Sequence, residues 1–165
     1  MTSEQALGFV DIDGVVADVR HRLHHLESRP KDWDGFFAAA QDDPVHEEGV
    51  ALVDRLAQDC EVVFLTGRPE SLRADTQDWL HRHGMGGHRL LMRPRGDRRP
   101  ARQVKLQLLR QLARGRHVAV VVDDDPLVID AMRQAGHPTL HADWEQRSTP
   151  DDQALLAAQE VDGQS

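Results

Sequence analysis

Cys60 is the only cysteine among 165 residues. Its isolation excludes an intramolecular disulfide and a multi-cysteine zinc site, and makes a reducing compartment, the cytoplasm, the expected location. No run of about 18 apolar residues occurs, and the opening stretch from Met1 to Gly8 has no basic region followed by an apolar one. Neither a membrane span nor a secretory leader is expected. Ten histidines are present, yet none stands in an H-E-x-x-H or paired Cys/His spacing, and Arg22 interrupts the cluster of His21, His24 and His25. A histidine metal site is therefore not expected. Positive charge is also short: 20 Lys and Arg face 28 Asp and Glu, for a net charge of −8. That balance excludes a uniformly basic nucleic-acid coat and leaves room for a local basic patch.

The remaining composition is that of a folded protein, with 39% hydrophobic and 29% charged residues. At roughly 150 residues per domain the length suits one domain, expected over residues 1–148. Short apolar runs alternate with longer amphipathic segments, the pattern of an α/β protein around a mainly parallel sheet. Strands are expected at Gly8 to Ile12, Glu61 to Leu65, Arg89 to Met92, His117 to Val122 and Pro138 to His141. Between them, helical stripes are formed by Val50, Val53, Leu56, Ala57 and Cys60, by Leu72, Thr76, Trp79, Leu80 and His83, and by Val104, Leu108, Leu109 and Leu112. Pro69 and Pro126 suit first helical positions, and Gly84, Gly115 and Gly136 suit left-handed helix ends. Residues 18–44, with the short stripe Trp33, Phe36, Phe37 and Ala40, break the rhythm as an insertion, a candidate flap over a site. Residues 149–165 read as a polar tail with one short helix.

Four constellations lie at or just beyond expected strand ends, where open parallel sheets bind ligands. In the first, Asp11 and Asp13 stand two apart, on one side of an extended chain, and Gly14 allows a sharp turn. An EF-hand loop counted from Asp11 needs glycine and glutamate where Val16 and Arg22 stand, so calcium-loop chemistry is excluded. In the second, Thr66-Gly67-Arg68-Pro69 offers a hydroxyl and a helix start suited to phosphate. The third, Asp123-Asp124-Asp125, crowds three acids that need a cation between them, and oxygen-only donors beside a phosphate favour magnesium. The fourth runs from Met92 to Lys105. Its arginines, Arg93, Arg95 and Arg98 among them, bring the segment to +5 and leave −13 elsewhere, which marks a candidate anion-guiding rim. Together the four supply a carboxylate pair, a hydroxyl, a lysine and metal-binding acids, the groups required for phosphoryl transfer to and from an aspartate.

This ordered set resembles the haloacid dehalogenase (HAD) superfamily of aspartate-nucleophile phosphohydrolases. The matching residues are Asp11-Ile-Asp13-Gly14, Thr66, Lys105 and Asp123-Asp124. More narrowly, F-L-T-G-R-P-E, L-L-M-R-P-R-G-D-R-R and V-D-D-D-P-L-V-I-D-A-M resemble the 3′-phosphatase domain of phage-type polynucleotide kinase/phosphatases, and Arg22 and Arg68 fall where that family has functional arginines. The resemblance implies a three-layer Rossmann-like fold with a five-stranded sheet and a small helical insertion after the first strand. It also implies Asp11 as nucleophile, Asp13 as general acid and base, and Thr66 and Lys105 as ligands of the transferring oxygens. Mg2+ would be held by Asp11, the Asp13 backbone carbonyl and an acid of the pair Asp123 and Asp124, and substrate by Arg22, Gly67, Arg68, Arg93, Arg95 and Arg98. The chain differs from the family pattern at Val15, Ala101 and Asp125, where threonine, an acid and arginine are usual.

The implied substrate is a polynucleotide 3′-phosphate, with a mononucleotide or small phosphorylated metabolite as the alternative. No G-x-x-x-x-G-K-[ST] loop occurs, so a kinase or ligase step is expected of a separate partner. A response-regulator receiver needs its lysine at a late strand end, whereas Lys105 lies in a helical stripe ahead of the Asp123 strand. A non-catalytic nucleic-acid-binding module using the arginine segment is the remaining alternative from another class.

Overall fold

The computed structural model of the protein describes residues 4–145; the expected C-terminal tail and its helix lie outside them. Five strands, β1 (Ala6–Val10), β2 (Cys60–Pro69), β3 (Arg89–Arg93), β4 (Val118–Asp123) and β5 (Thr139–His141), form one sheet in the order β3-β2-β1-β4-β5. Every pairing is parallel. The chain therefore winds outward from β1 in one direction and returns to start again beside it, which makes the gap between the carboxyl ends of β1 and β4 the topological switch point.

Alternation along the strands divides the core in two. Val10, Val62, Phe64 and Leu90 face one layer, with Leu52 and Val53 of α2 (Glu47–Asp59) and Trp79 and Leu80 of α3 (Arg73–Arg82). Leu7, Phe9, Val63, Leu65 and Val121 face the other, with Leu109 of α4 (Ala101–Leu112) and Val128 and Met132 of α5 (Pro126–Gln134). The expected three-layer α/β fold is thus present, with both sheet faces covered as a parallel sheet requires. The insertion carries a small core of its own, in which Val19, Leu23 and Leu26 pack with Phe36 of α1 (Trp33–Ala38). Among the described residues no helix is long and apolar enough to cross a membrane.

Several boundaries differ from the sequence reading. β1 ends at Val10 rather than Ile12, because the chain turns through Gly14, whose φ is +82°. Pro69 does not begin a helix. It is extended at φ −69°, ψ 151° and closes β2, a 3-10 turn follows over Glu70–Leu72, and α3 starts at Arg73. Cys60 belongs to β2 rather than to the α2 stripe, and Ala57 is exposed while Leu52 is buried, because the face packed on the sheet is set by Leu52 and Val53. Pro126 does take the first turn of α5, and Gly84, Gly115 and Gly136 have positive φ as expected. Gly49 in the first turn of α2 was not singled out. A Cβ there would lie 2.0 Å from the Val15 carbonyl oxygen, so only glycine lets α2 approach the turn after β1 this closely.

Candidate active site

The switch point carries the acids. Asp11 follows β1, and its N–H donates to the Val122 carbonyl at 2.9 Å, which holds it beside the end of β4. There the carboxylates of Asp11, Asp123 and Asp124 each place an oxygen within 4.8 Å of the others. Lys105 reaches into the same group from α4, its Nζ 2.7 Å from Asp123 Oδ2 and 3.2 Å from Asp11 Oδ1. Burial pushes the Asp11 carboxyl well above the usual range and neighbouring Asp123 pushes the same way, with Lys105 opposing both. Burial would lower the Lys105 ammonium, but Asp11 and Asp123 outweigh it and hold the amine charged. Lys105 pairs with Asp11 and Asp123, and three carboxylates converge in this small space. Clustered hard oxygen donors are what Mg2+ binds, so the residues fit that ion.

Asp125, the third acid of the run, does a different job. Its side chain accepts from the Leu127 N–H at 2.9 Å and caps α5, while its own N–H donates to Asp123 Oδ1 at 2.9 Å and fixes that carboxylate.

Asp13 faces a second group, built from the insertion and the end of β2. Arg22 Nη2 donates to Asp13 Oδ1 at 2.9 Å, and Arg68 donates to both carboxylate oxygens, Nη2 to Oδ1 at 2.5 Å and Nε to Oδ2 at 3.3 Å. Asp43 completes the group by accepting from Arg22 Nε and Nη2, each at 2.8 Å, and from Arg68 Nη2 at 3.5 Å. All four side chains are buried, and the Arg22 guanidinium lies 4.2 Å over the Phe36 ring. Burial would raise the Asp13 carboxyl, yet Arg68 and Arg22 outweigh it and hold the group well below the usual aspartate range. Asp43 shifts the other way, raised chiefly by burial.

The Asp13 pairing has a consequence for stability. Because the folded protein keeps Asp13 ionised at lower pH than the unfolded chain does, protons bind the unfolded chain first as pH drops. The contribution is therefore full above the ordinary aspartate value of about 3.9 and is lost as pH falls below it. Asp13→Asn should cost about 3–5 kcal/mol at pH 7, the usual cost of leaving buried partners unpaired. The gap from wild type should shrink below pH 4 in urea unfolding followed across pH; a gap independent of pH would contradict the assignment.

The other expected residues are distributed unevenly. Thr66 is buried at the end of β2 and its Oγ1 accepts from the Arg68 N–H at 3.1 Å, so this turn is closed internally rather than by an exposed helix start. Gly67 gives its carbonyl to Arg93 Nε at 3.0 Å. Arg93 is buried, with Nη1 also donating to the carbonyls of Asp97 and Arg99, and it works first as an internal brace of the loop after β3. Arg95 and Arg98 are exposed on that loop, while Arg99 pairs with Asp97 at 2.6 Å. The positive rim is thus thinner than its charge suggests. Asp43 and its exposed-side partner His21, 2.6 Å away, were not picked out from the sequence. Asp43 sits among acids ahead of Pro44, and only the fold brings it to Arg22 and Arg68.

Similarity to known proteins agrees with this geometry. The solved structure of the Pnkp1/Rnl/Hen1 RNA repair complex contains a chain that superposes with a TM-score of 0.69 at 23% identity, covering 86% of this chain and 43% of that one. This chain therefore spans less than half the length of that relative. A haloacid dehalogenase-like hydrolase, SP0104 from Streptococcus pneumoniae, matches over 98% of this chain and 93% of its own at a TM-score of 0.63 and 14% identity. The HAD-hydrolase YfnB from Bacillus subtilis, solved bound to magnesium, gives 0.61 at 9% identity, covering 90% and 93%. At these identities the structures establish the fold. No curated protein matches the chain. The family model for the polynucleotide kinase PNKP phosphatase domain matches residues 5–145, and with that match the chain belongs to the PNKP-type phosphatase family of the HAD superfamily.

Proposed function

We propose that this protein is a Mg2+-dependent phosphomonoester hydrolase that removes 3′-phosphate from polynucleotide ends through an aspartyl-phosphate on Asp11. The observation that carries the reading is the placement of two carboxylates of opposite character at one strand end. Asp11 lies among acids and a lysine, and Asp13 lies between two arginines.

Asp11, Asp123 and Asp124 would hold Mg2+. When bound, the ion neutralises charge so that an anionic nucleophile can approach an anionic phosphate. Lys105 adds a fixed positive charge beside the nucleophile, and Thr66 supplies the hydroxyl for a transferring oxygen. Asp11 attacks phosphorus in line and the P–O bond to the sugar breaks. Asp13, protonated from solvent once the substrate is bound, gives that proton to the leaving oxygen, then takes one from the water that hydrolyses the aspartyl-phosphate, which restores Asp11 and releases inorganic phosphate. Arg22 and Arg68 hold Asp13 ionised in the free protein. An incoming phosphate draws on the same guanidiniums and loosens that hold, which raises the proton affinity of Asp13 in the direction a general acid requires.

We further propose a cytoplasmic location, supported by the buried, unpaired Cys60, and a kinase or ligase acting on the same ends from a separate partner. Treatment with EDTA should reduce phosphate release from a 3′-phosphorylated oligonucleotide to background, and added Mg2+ should restore it. Full activity after exhaustive chelation would remove the metal from the account.

A further inference from the structure

Asp123, Asp124 and Asp125 follow one another where β4 ends and α5 begins. Like charges at this spacing repel, so the bonds that fix this turn decide where its carboxylates stand. Asp123 is held from several sides. Lys105 Nζ lies 2.7 Å from its Oδ2, the Asp125 N–H donates to its Oδ1 at 2.9 Å, and its carbonyl accepts from the Ala142 N–H at 2.9 Å. Asp124 stands at the bend itself, half-buried, with a carboxylate oxygen within 4.8 Å of those of Asp11 and Asp123.

The peptide between Asp124 and Asp125 links the two acids. Its N–H is the donor to Asp123 Oδ1, and its carbonyl, that of Asp124, accepts from His141 Nε2 at 2.9 Å. A carbonyl oxygen only accepts, so Nε2 is the ring nitrogen that carries hydrogen. A peptide unit is planar. One bond at its oxygen and one at its nitrogen therefore fix the plane, and with it both the backbone from which the Asp124 side chain departs and the donor that orients the Asp123 carboxylate.

His141 reaches this peptide from the sheet edge. It ends β5, a strand of three residues, and lies opposite Asp123 in the β4–β5 register. The side chain is exposed, so burial in the core does not account for its placement. What it does in the fold is donate to the turn that carries the acids.

We propose that His141 is a positioning residue for the metal centre: by pinning the Asp124–Asp125 peptide it holds the Asp123 and Asp124 carboxylates in the arrangement that receives Mg2+. This rests on the phosphatase reading given above, in which those acids bind the ion. His141 acts through the backbone rather than by ligation. Without its bond the turn is ordered only when the ion arrives, and the cost of that ordering is taken from the affinity.

The test is calorimetric titration of MgCl2 into the substrate-free protein, comparing the wild type with His141→Ala, His141→Gln and Leu140→Ala. His141→Ala should weaken Mg2+ binding by about 10-fold or more, the usual effect of losing an outer-shell partner. The Mg2+ concentration giving half-maximal phosphate release should rise by the same factor. His141→Gln keeps an N–H donor and should recover most of the affinity. Leu140 is the neighbouring exposed residue of β5, and Leu140→Ala, which loosens the strand and keeps the donor, should bind Mg2+ as the wild type does. Wild-type affinity in His141→Ala overturns the inference, as does a loss of equal size in His141→Gln or in Leu140→Ala. A wild-type protein that binds no Mg2+ would instead overturn the metal centre of the phosphatase reading, and the inference with it.

Discussion

Asp11→Asn should fold normally and release no phosphate, with turnover reduced by roughly 10⁴-fold or more, as expected when a nucleophile is removed. The amide keeps the shape of the side chain, so β1 and its N–H bond to Val122 are retained. Its effect on stability distinguishes a nucleophile from a structural acid. In the wild type, burial and Asp123 hold the Asp11 carboxyl above its ordinary range, so the folded state binds that proton more tightly than the unfolded chain. Ionisation of Asp11 therefore opposes folding as pH rises past the ordinary aspartate value, and the cost is greatest near neutrality. Asn removes the charge, and Lys105 retains Asp123 as its partner. Without metal, the variant should melt at or above the wild-type temperature at pH 7, with the advantage lost toward pH 4. A variant that keeps more than about one hundredth of wild-type turnover would contradict the nucleophile role.

The second large effect is expected at Arg68. Its guanidinium donates to both oxygens of Asp13, to Asp43 and, at 3.3 Å, to Thr76 Oγ1, all out of contact with solvent. Arg68→Met would take from Asp13 the guanidinium that spans both its oxygens and leave Asp43 with one fewer donor. Breaking one side of such a buried group costs about 3–5 kcal/mol, measurable as a lowered urea midpoint. Phosphate release should fall on the order of 10²–10³-fold, the usual loss when one fixed electrostatic partner of a reacting group is removed. Arg68→Lys is the informative companion, because an ammonium restores charge without the planar fork that spans both oxygens. It should recover part of the stability and little of the activity. A lysine variant with wild-type turnover would show that charge alone suffices and would contradict the role given to the bidentate geometry.

The residues most readable from sequence were those whose role depends on local order. Asp11, Asp123 and Asp124 stand at the ends of apolar strands, and a parallel sheet brings strand ends to one edge, so their convergence follows from topology. Lys105 was legible because it falls on the helical stripe facing that edge, where it is buried. Pro69 misled because proline's fixed φ suits a helix start and an extended strand equally, and pairing between Pro69 and Arg93 decided for the strand. Arg22 and Arg68 read as substrate ligands; their pairing with Asp13 and Asp43 depends on how the insertion folds back over β2, which no local pattern encodes. Asp43 was invisible for the same reason. The positive segment after β3 was correctly located, but its net charge did not reveal that Arg93 and Arg99 would be engaged by neighbouring carbonyls and by Asp97.

That division bears on function. The centre of Asp11, Asp123, Asp124 and Lys105 groups the side chains that phosphoryl transfer requires whatever the leaving group, while the insertion and the loop after β3 line a cleft apart from those side chains. On the proposed function, substrate choice falls to the insertion and that loop, the parts of the chain least legible in sequence. The most direct measurement is phosphate release, in Mg2+, from a 3′-phosphorylated oligonucleotide, a 3′-mononucleotide and a 5′-mononucleotide at equal concentration. The oligonucleotide should be hydrolysed fastest and the 5′-mononucleotide slowest; equal or faster release from the 5′-mononucleotide would contradict the assignment to polynucleotide 3′ ends.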